Sequence, residues 1–315
     1  MKTLILDGHN AWYRLWKVMP HLSTDGQRVE LIYGFLRLLR SLLEKFEPDR
    51  AIVCWDGGAS RIRLELFPGY KGARRERREH QTPGEQQSFR DMIVQWTSVQ
   101  AVLDRLSIGQ AMVKGVEADD LVAMACRVLP GGKVIISADK DLLQLISGDV
   151  CVYAPHTSFH PATLYTAQNF YRLLGLTPKQ YLEMSLLVGD KSDNIPGVAK
   201  GFGDVTAKEL LNKYGSLSVL LEDRVRKRIL GKGGRVALLY SNPTLRKQLE
   251  LNRQLMDLSL MRSETAGAII EQAHEPHKMD KQSLLSYFHK MSFESLVKDF
   301  ALWVLPFENL GGKAT

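Results

Sequence analysis

Over the first half of the chain, short apolar runs alternate with longer segments in which apolar residues recur at helical spacing. Residues 3–6, 51–55, 133–137 and 150–153 are rich in β-branched and aliphatic side chains and end in acidic or turn-forming residues, which predicts strands. Between them, residues 29–46 and 88–106 carry the period of amphipathic helices. The alternation predicts an α/β fold with a central, mostly parallel sheet and helices on both faces; ligands of such sheets gather at the carboxyl ends of the strands. From about residue 166 the pattern becomes helical with short connections, at 167–174, 178–187, 205–213, 245–256, 281–289 and 293–300. No strong linker precedes this change, so the helical half is expected to pack directly on the sheet. The expected organisation is an α/β domain over 1–165, a helical region over 166–305 and a disordered tail over 306–315.

Composition narrows the setting. The 315 residues are 44% hydrophobic and 24% charged, enough to bury a substantial core. No apolar run approaches the ~20 residues that cross a bilayer, and Asp7 interrupts the N-terminus too early for a signal peptide. Cys54, Cys126 and Cys151 are scattered among apolar neighbours, as reduced core thiols would be, which argues against a disulfide framework or a zinc site. A cytoplasmic location is expected. The formal net charge of +7 favours a polyanionic partner. Lys71, Arg74, Arg75, Arg77 and Arg78 crowd one segment, with only Glu76 and Glu79 interspersed, and a second basic stretch covers 224–235. A solvated helical face is the alternative reading of both, and for the second stretch the two readings stay open.

Acidic residues take particular places on this map. Asp7 follows the run Leu4-Ile5-Leu6, and Asp56 follows Ile52-Val53-Cys54-Trp55. Asp139 and Asp141 come after the run at 133–137, spaced so that an extended backbone would point both to one side. Glu117, Asp119 and Asp120 open a helix whose apolar body is Leu121-Val122-Ala123-Met124, and Asp190 and Asp193 stand three apart just after residue 188. Any one of these is explained as a turn or N-cap residue. Three strand ends delivering acids to the same edge of one sheet are harder to explain that way. So many carboxylates repel and raise one another's pKa unless cations lie between them. Oxygen ligands without clustered His or Cys suit Mg²⁺ rather than zinc. Nine acids exceed the needs of one ion, and two ions about 3.5–4 Å apart suit in-line phosphodiester hydrolysis.

At these residues the chain resembles the flap endonuclease family, in particular its bacterial and phage 5′-3′ exonuclease branch, which includes the 5′-nuclease domain of DNA polymerase I. The matching segments run in the family's order: Leu6-Asp7-Gly8-His9-Asn10, Trp55-Asp56, Tyr70-Lys71-Gly72-Ala73-Arg74, Gly115 to Asp120, Ala138 to Leu145, and Val188 to Val198. Phe293-Glu294-Ser295-Leu296 is similar to the family's closing helix. The resemblance implies a PIN-like 5′-nuclease fold with a helical arch at about 68–100 and a helix–hairpin–helix at about 194–214. It implies that Asp7, Asp56, Glu117 and Asp119 serve mainly one metal, that Asp139, Asp141 and Asp190 surround the second, and that Asp120 and Asp193 are additional acids of this branch. Lys71 matches the lysine that contacts the scissile phosphate; Arg74, Arg75, Arg77 and Arg78 are further candidate DNA contacts, and Tyr70 could stack on a base. In the hairpin, Gly197, Lys200, Gly201 and Gly203 are expected to approach phosphates. An extra residue relative to the family pattern, at Ala199, leaves the hairpin's geometry and any bound K⁺ in question.

The implied activity is that of a structure-selective, Mg²⁺-dependent 5′-nuclease, with Mn²⁺ as a substitute, acting on branched or 5′-ended DNA and on RNA–DNA hybrids in primer removal or repair. A monomer that does not engage membranes is expected, acting in the cytoplasm, which for a phage protein is that of the infected host. The rival readings are a catalytically weak relative that binds flaps without cutting, which would lack some acids or Lys71, and a PIN-like ribonuclease, which would lack the arch and the hairpin. A polymerase I fragment is also conceivable; a stand-alone nuclease is the preferred expectation.

Overall fold

The computed structural model describes residues 1–156, 161–199, 203–222, 243–261, 263–275 and 278–310. At its centre lies β1 (Lys2–Asp7), whose Leu4, Ile5 and Leu6 are fully buried. β1 pairs in parallel with β4 (Arg50–Trp55) on one side and β6 (Gly132–Ile136) on the other. β5 (Gly109–Met112), β7 (Val150–Ala154) and the antiparallel β8 (Thr163–Tyr165) complete the order β5-β4-β1-β6-β7-β8. The chain winds outward from β1 through β4 to β5, then returns to build β6, β7 and β8 on the far side. The strand order therefore reverses beside β1, where open α/β sheets leave a crevice.

Alternate residues of β1 feed different cores, as the pleat requires. Leu4 and Leu6 pack with α2 (Glu30–Phe46) and the inner half of α5 (Pro83–Arg105), whereas Ile5 packs with α6 (Ala118–Val128) on the opposite face. α1 (Gly8–Val18) follows β1 directly, and α3 (Arg61–Leu66) and α4 (Gly72–Glu79) lie between β4 and α5. A third core joins α8 (Pro178–Val188), α9 (Asp204–Tyr214), α10 (Leu217–Leu220) and α11 (Pro243–Met256), preceded by the short α7 (Phe170–Leu174).

The structure amends several expectations. β5 and β8 escape the pattern because Gly-Gln-Ala-Met lacks β-branched residues and β8 is only three residues long. A short hairpin of β2 (Ser23–Thr24) and β3 (Gln27–Arg28) turns through Asp25-Gly26, both at positive φ. α5 starts five residues earlier than expected because Thr82 and Glu85 form a capping box around Pro83. The helical half is not one unit: α12 (Glu264–His274) packs on β5 and α6, while α13 (Lys281–Lys290), α14 (Glu294–Val297) and α15 (Phe300–Glu308) join the core of β1 and α2. α15 also continues past Pro306 and buries Phe307, so order extends into the expected tail, whose residues 311–315 lie outside the described residues. Pro306 has no N–H to offer the carbonyl one turn back; the Arg40 guanidinium donates to that Leu302 carbonyl at 3.4 Å and to Trp303 O at 3.1 Å. Among the described residues, no helix is long and apolar enough to cross a membrane.

Candidate active site

Parallel pairing brings the carboxyl ends of β4, β1 and β6 side by side, and with them Asp56, Asp7 and Asp139. Asp7 is buried at the end of β1. One oxygen accepts the Asn10 amide at 3.0 Å and so caps α1, while the other accepts Ser137 Oγ at 2.9 Å. Its ordinary role as an N-cap and its place in the acidic pool thus coexist. Asp56 accepts the Ala118 amide at 2.7 Å, which docks the start of α6 on β4, and its own amide donates to His9 Nδ1 at 2.9 Å. Ser137 Oγ also accepts the Asp139 amide, and Asp139 in turn accepts the Asp141 amide at 2.9 Å. Asp139 and Asp141 therefore come together through a turn, Asp141 opening a short 3-10 segment, and not through the extended backbone expected. Glu117 is the N-cap residue of α6, with Asp119 in its first turn, where the helix dipole favours negative charge.

Crowding shows in the titration of the pool. Burial pushes Asp7 up to about 7, with the charges of Asp56 and Asp139 adding to it. Asp141 also rises to about 7, from burial and then Asp139, Asp190 and Asp193. Burial together with Asp139 and Asp7 raises Asp119 well above the carboxylate range. This is negative charge without enough positive charge near it. The acidic donors are oxygens, and the nearby His9 accepts the Asp56 amide through Nδ1. Among the described residues, no three acidic, histidine or cysteine side chains are drawn into a closed ligand set. A tight cage would argue for a dehydrated metal. A pool of oriented carboxylate oxygens fits a hard divalent cation that keeps part of its water.

At one side the pool is compensated by an array that the sequence reading missed in part. Arg63, on α3 and only 4% exposed, donates from Nη1 and Nη2 to both oxygens of Asp120 at 2.7 Å, from Nη1 to Glu117 Oε2 at 2.9 Å and from Nε to Leu255 O at 2.8 Å. Both oxygens of Asp120, expected as an additional acid of the site, are thereby paired with Arg63. The Tyr70 ring is buried and its hydroxyl donates to Glu117 Oε2 at 2.8 Å. Lys71 Nζ donates to Glu117 Oε1 at 2.8 Å and lies 3.7 Å from Asp193. Burial alone would lower the Lys71 pKa, but Glu117 and Asp193 outweigh it and hold the ammonium charged. Burial likewise opposes ionisation of Glu117, yet Lys71 and Arg63 pull its pKa below the ordinary value. Arg74 pairs with Asp193 at 2.7 Å. Arg75 donates to the carbonyls of Tyr70 at 2.6 Å and Pro68 at 2.7 Å and so braces the chain there. Arg77 and Arg78 are exposed on α4, with Arg78 over the Phe89 ring. Asp190 accepts the Ser192 amide at 2.6 Å and faces the Asp141 side of the pool, whose titration it influences.

A family model for the N-terminal resolvase-like domain of 5′-3′ exonucleases matches residues 2–175, and one for their C-terminal SAM fold matches residues 176–266. The chain belongs to the 5′-3′ exonuclease family. Among its relatives, a 5′-3′ exonuclease of Aquifex aeolicus is 36% identical over 228 residues, 71% of this chain and 73% of that protein. The thermostable DNA polymerase I of Thermus thermophilus is 32% identical over 97% of this chain. The chain spans about a third of that polymerase's length (34%). The fold is also that of bacteriophage T5 5′-exonuclease: a structure with bound zinc aligns with a TM-score of 0.69 at 21% identity, covering 91% of this chain and 99% of that one. A T5 flap endonuclease structure with DNA and metal ions aligns at 0.66 and 19% identity, covering 97% and 100%.

The expected helix–hairpin–helix at about 194–214 is described except for residues 200–202. Lys200 and Gly201 lie outside the described residues, as does the basic stretch at 224–235. Gly197 has a packing reason for lacking a side chain: a Cβ there would meet Val188 O at 2.5 Å. Gly203 precedes α9 as its N-cap residue and has open space around it.

Proposed function

We propose that this chain is a structure-selective 5′-nuclease that hydrolyses phosphodiesters near the 5′ ends of branched or nicked DNA, and of RNA–DNA hybrids, during primer removal or repair. It acts as a cytoplasmic monomer. The observation that carries the reading is the pool of carboxylates at three adjacent strand ends, two of them pushed up to about 7, beside a lysine that stays charged. Asp7, Asp56, Glu117 and Asp119 would hold one Mg²⁺ and Asp139, Asp141 and Asp190 a second, with Mn²⁺ as a substitute; when bound, the ions supply an activated water and charge stabilisation at the departing oxygen. Ser137, Asn10 and the start of α6 fix the directions of the acids. Glu117 Oε2 is held by Arg63 and Tyr70, which leaves Oε1 toward Lys71. Lys71 then moves its ammonium from Glu117 to the scissile phosphate, where charge grows as the P–O bond breaks. Asp193 holds Arg74 beside it for the same phosphate. K⁺ at the hairpin would help grip the duplex.

The test is cleavage of 5′-labelled flap, nicked and RNA-primed substrates with and without Mg²⁺. Cutting near the 5′ junction only with the metal supports the proposal. Tight flap binding without cutting at any metal concentration would overturn it in favour of a catalytically weak binding protein.

A further inference from the structure

Lys71 and Asn194 are two of the six non-glycine residues with positive φ among the described residues, at 54° and 62°. A lysine in this region is strained, and such strain persists only where neighbours over-determine it. The neighbours here belong to one loop, residues 190–195, closed by reciprocal backbone hydrogen bonds between Asp190 and Ile195 at 2.9 and 2.7 Å. From that loop Asp193 O accepts the Lys71 amide at 2.9 Å, and Asn194 Nδ2 donates to Gly69 O at 2.9 Å. The Asp193 carboxylate takes Arg74 at 2.7 Å and lies 3.7 Å from Lys71 Nζ. The base of α4 is thus clasped by backbone, amide and charge at once, just before the hairpin. Asparagine suits the clasp because it tolerates the left-handed region and carries the donor that reaches Gly69.

We propose that Asn194 is a positioning residue: it locks the 190–195 loop against residues 69–71 and so holds Lys71 in the strained backbone that aims its ammonium, coupling the duplex-binding half to the chemistry. This rests on the nuclease reading and on Lys71 acting at the phosphate. Asn194 is exposed, so its replacement should leave the fold intact.

In Asn194→Ala, the single-turnover rate at saturating DNA should fall ~10-fold, as expected from losing the donor and adding left-handed strain, while the DNA dissociation constant changes less than ~2-fold. Asn194→Gly, which relieves the strain but still lacks the donor, should lose less. In a Lys71→Ala background, Asn194→Ala should have no further effect on rate. In the metal-free protein, exchange of the Lys71 amide hydrogen should speed up at least ~10-fold in Asn194→Ala, because its acceptor loop is released. An unchanged rate, an equal loss in the Lys71→Ala background, or a lost rate with unchanged Lys71 amide exchange would each overturn the assignment. If the wild-type protein cleaves nothing, the nuclease reading fails instead, and the amide exchange alone decides whether the clasp exists.

Discussion

Lys71 is held where two demands meet: Glu117 and Asp193 keep its ammonium charged, and the backbone turn at the start of α4 sets where that charge points. If its work is transition-state stabilisation, Lys71→Ala should lower the single-turnover rate by roughly 10²–10³ while weakening DNA binding only a few-fold. A variant that binds poorly yet cleaves at the normal rate once saturated would make the residue an ordinary phosphate anchor. Arg63 plays the opposite part, since it never reaches outward. Removing it as Arg63→Ala leaves Asp120 buried and unpaired, which should cost about 3–5 kcal/mol in urea unfolding. Replacing the pair together, Arg63→Met with Asp120→Leu, should recover much of that stability but not the activity, because Glu117 still loses its brace. A double variant as unstable as the single one would show that the Arg63–Asp120 pair is not where the cost arises.

Among the elements, α4 and the first turns of α5 are polar and largely exposed, while the inner half of α5 is anchored by Met92, Gln95, Val99, Val102 and Leu103. A charged arm standing on a buried root suits a role in touching DNA. Removing Arg77 and Arg78 together should therefore flatten the dependence of log affinity on log salt by roughly 0.7–0.9 for each phosphate that is no longer neutralised. An unchanged slope in a binding titration would reduce the arm to a solvated face. This arm was visible in the sequence as a cluster of like charges, and the strand ends were visible as apolar runs closed by acids, because both signals are local. What stayed hidden is non-local. Arg63 reads as one more arginine in Arg-Ile-Arg, and only the fold carries α3 beneath the start of α6, 54 residues on, to meet Glu117. Tyr70 sits among arginines and looks exposed, yet the same packing buries it. The return of α12 to α15 onto the first half could not be read from helix periods, which give a face and not the partner that covers it. β5 is held by β4 and α12 more than by its own composition.

At the level of the whole molecule, a crowded acidic edge ties stability to pH and to metal. Asp7 and Asp141 have folded-state pKa values of about 7 against 3.8 for the free group. Below pH ~4 both folded and unfolded chains carry these protons, and the pair costs nothing. As pH rises from about 4 to 7 the unfolded chain ionises first, so stability falls, and above 7 the loss is complete. Glu117 is shifted downward and works in the acid range below this window, and Lys71 is shifted upward and works far above it. Burial lowers the pKa of His9 and of His274, so both favour the folded state as pH rises through 6.5, and they partly mask the carboxylates in a simple scan. The His274 part of this masking cancels when melts with and without Mg²⁺ are compared at the same pH; a cation at Asp56 offsets the charge that raises the His9 pKa, so His9 too makes the metal increment smaller at low pH. The rise in melting temperature on adding Mg²⁺ should therefore be small near pH 5, where protons already neutralise the pool, and grow to several degrees by pH 8. Asp141→Asn should shrink the pH 8 increment, since it removes both a repelling charge and a ligand. An increment that is equal at both pH values, or larger at pH 5, would mean that the acidic edge does not bind the ion through these two carboxylates.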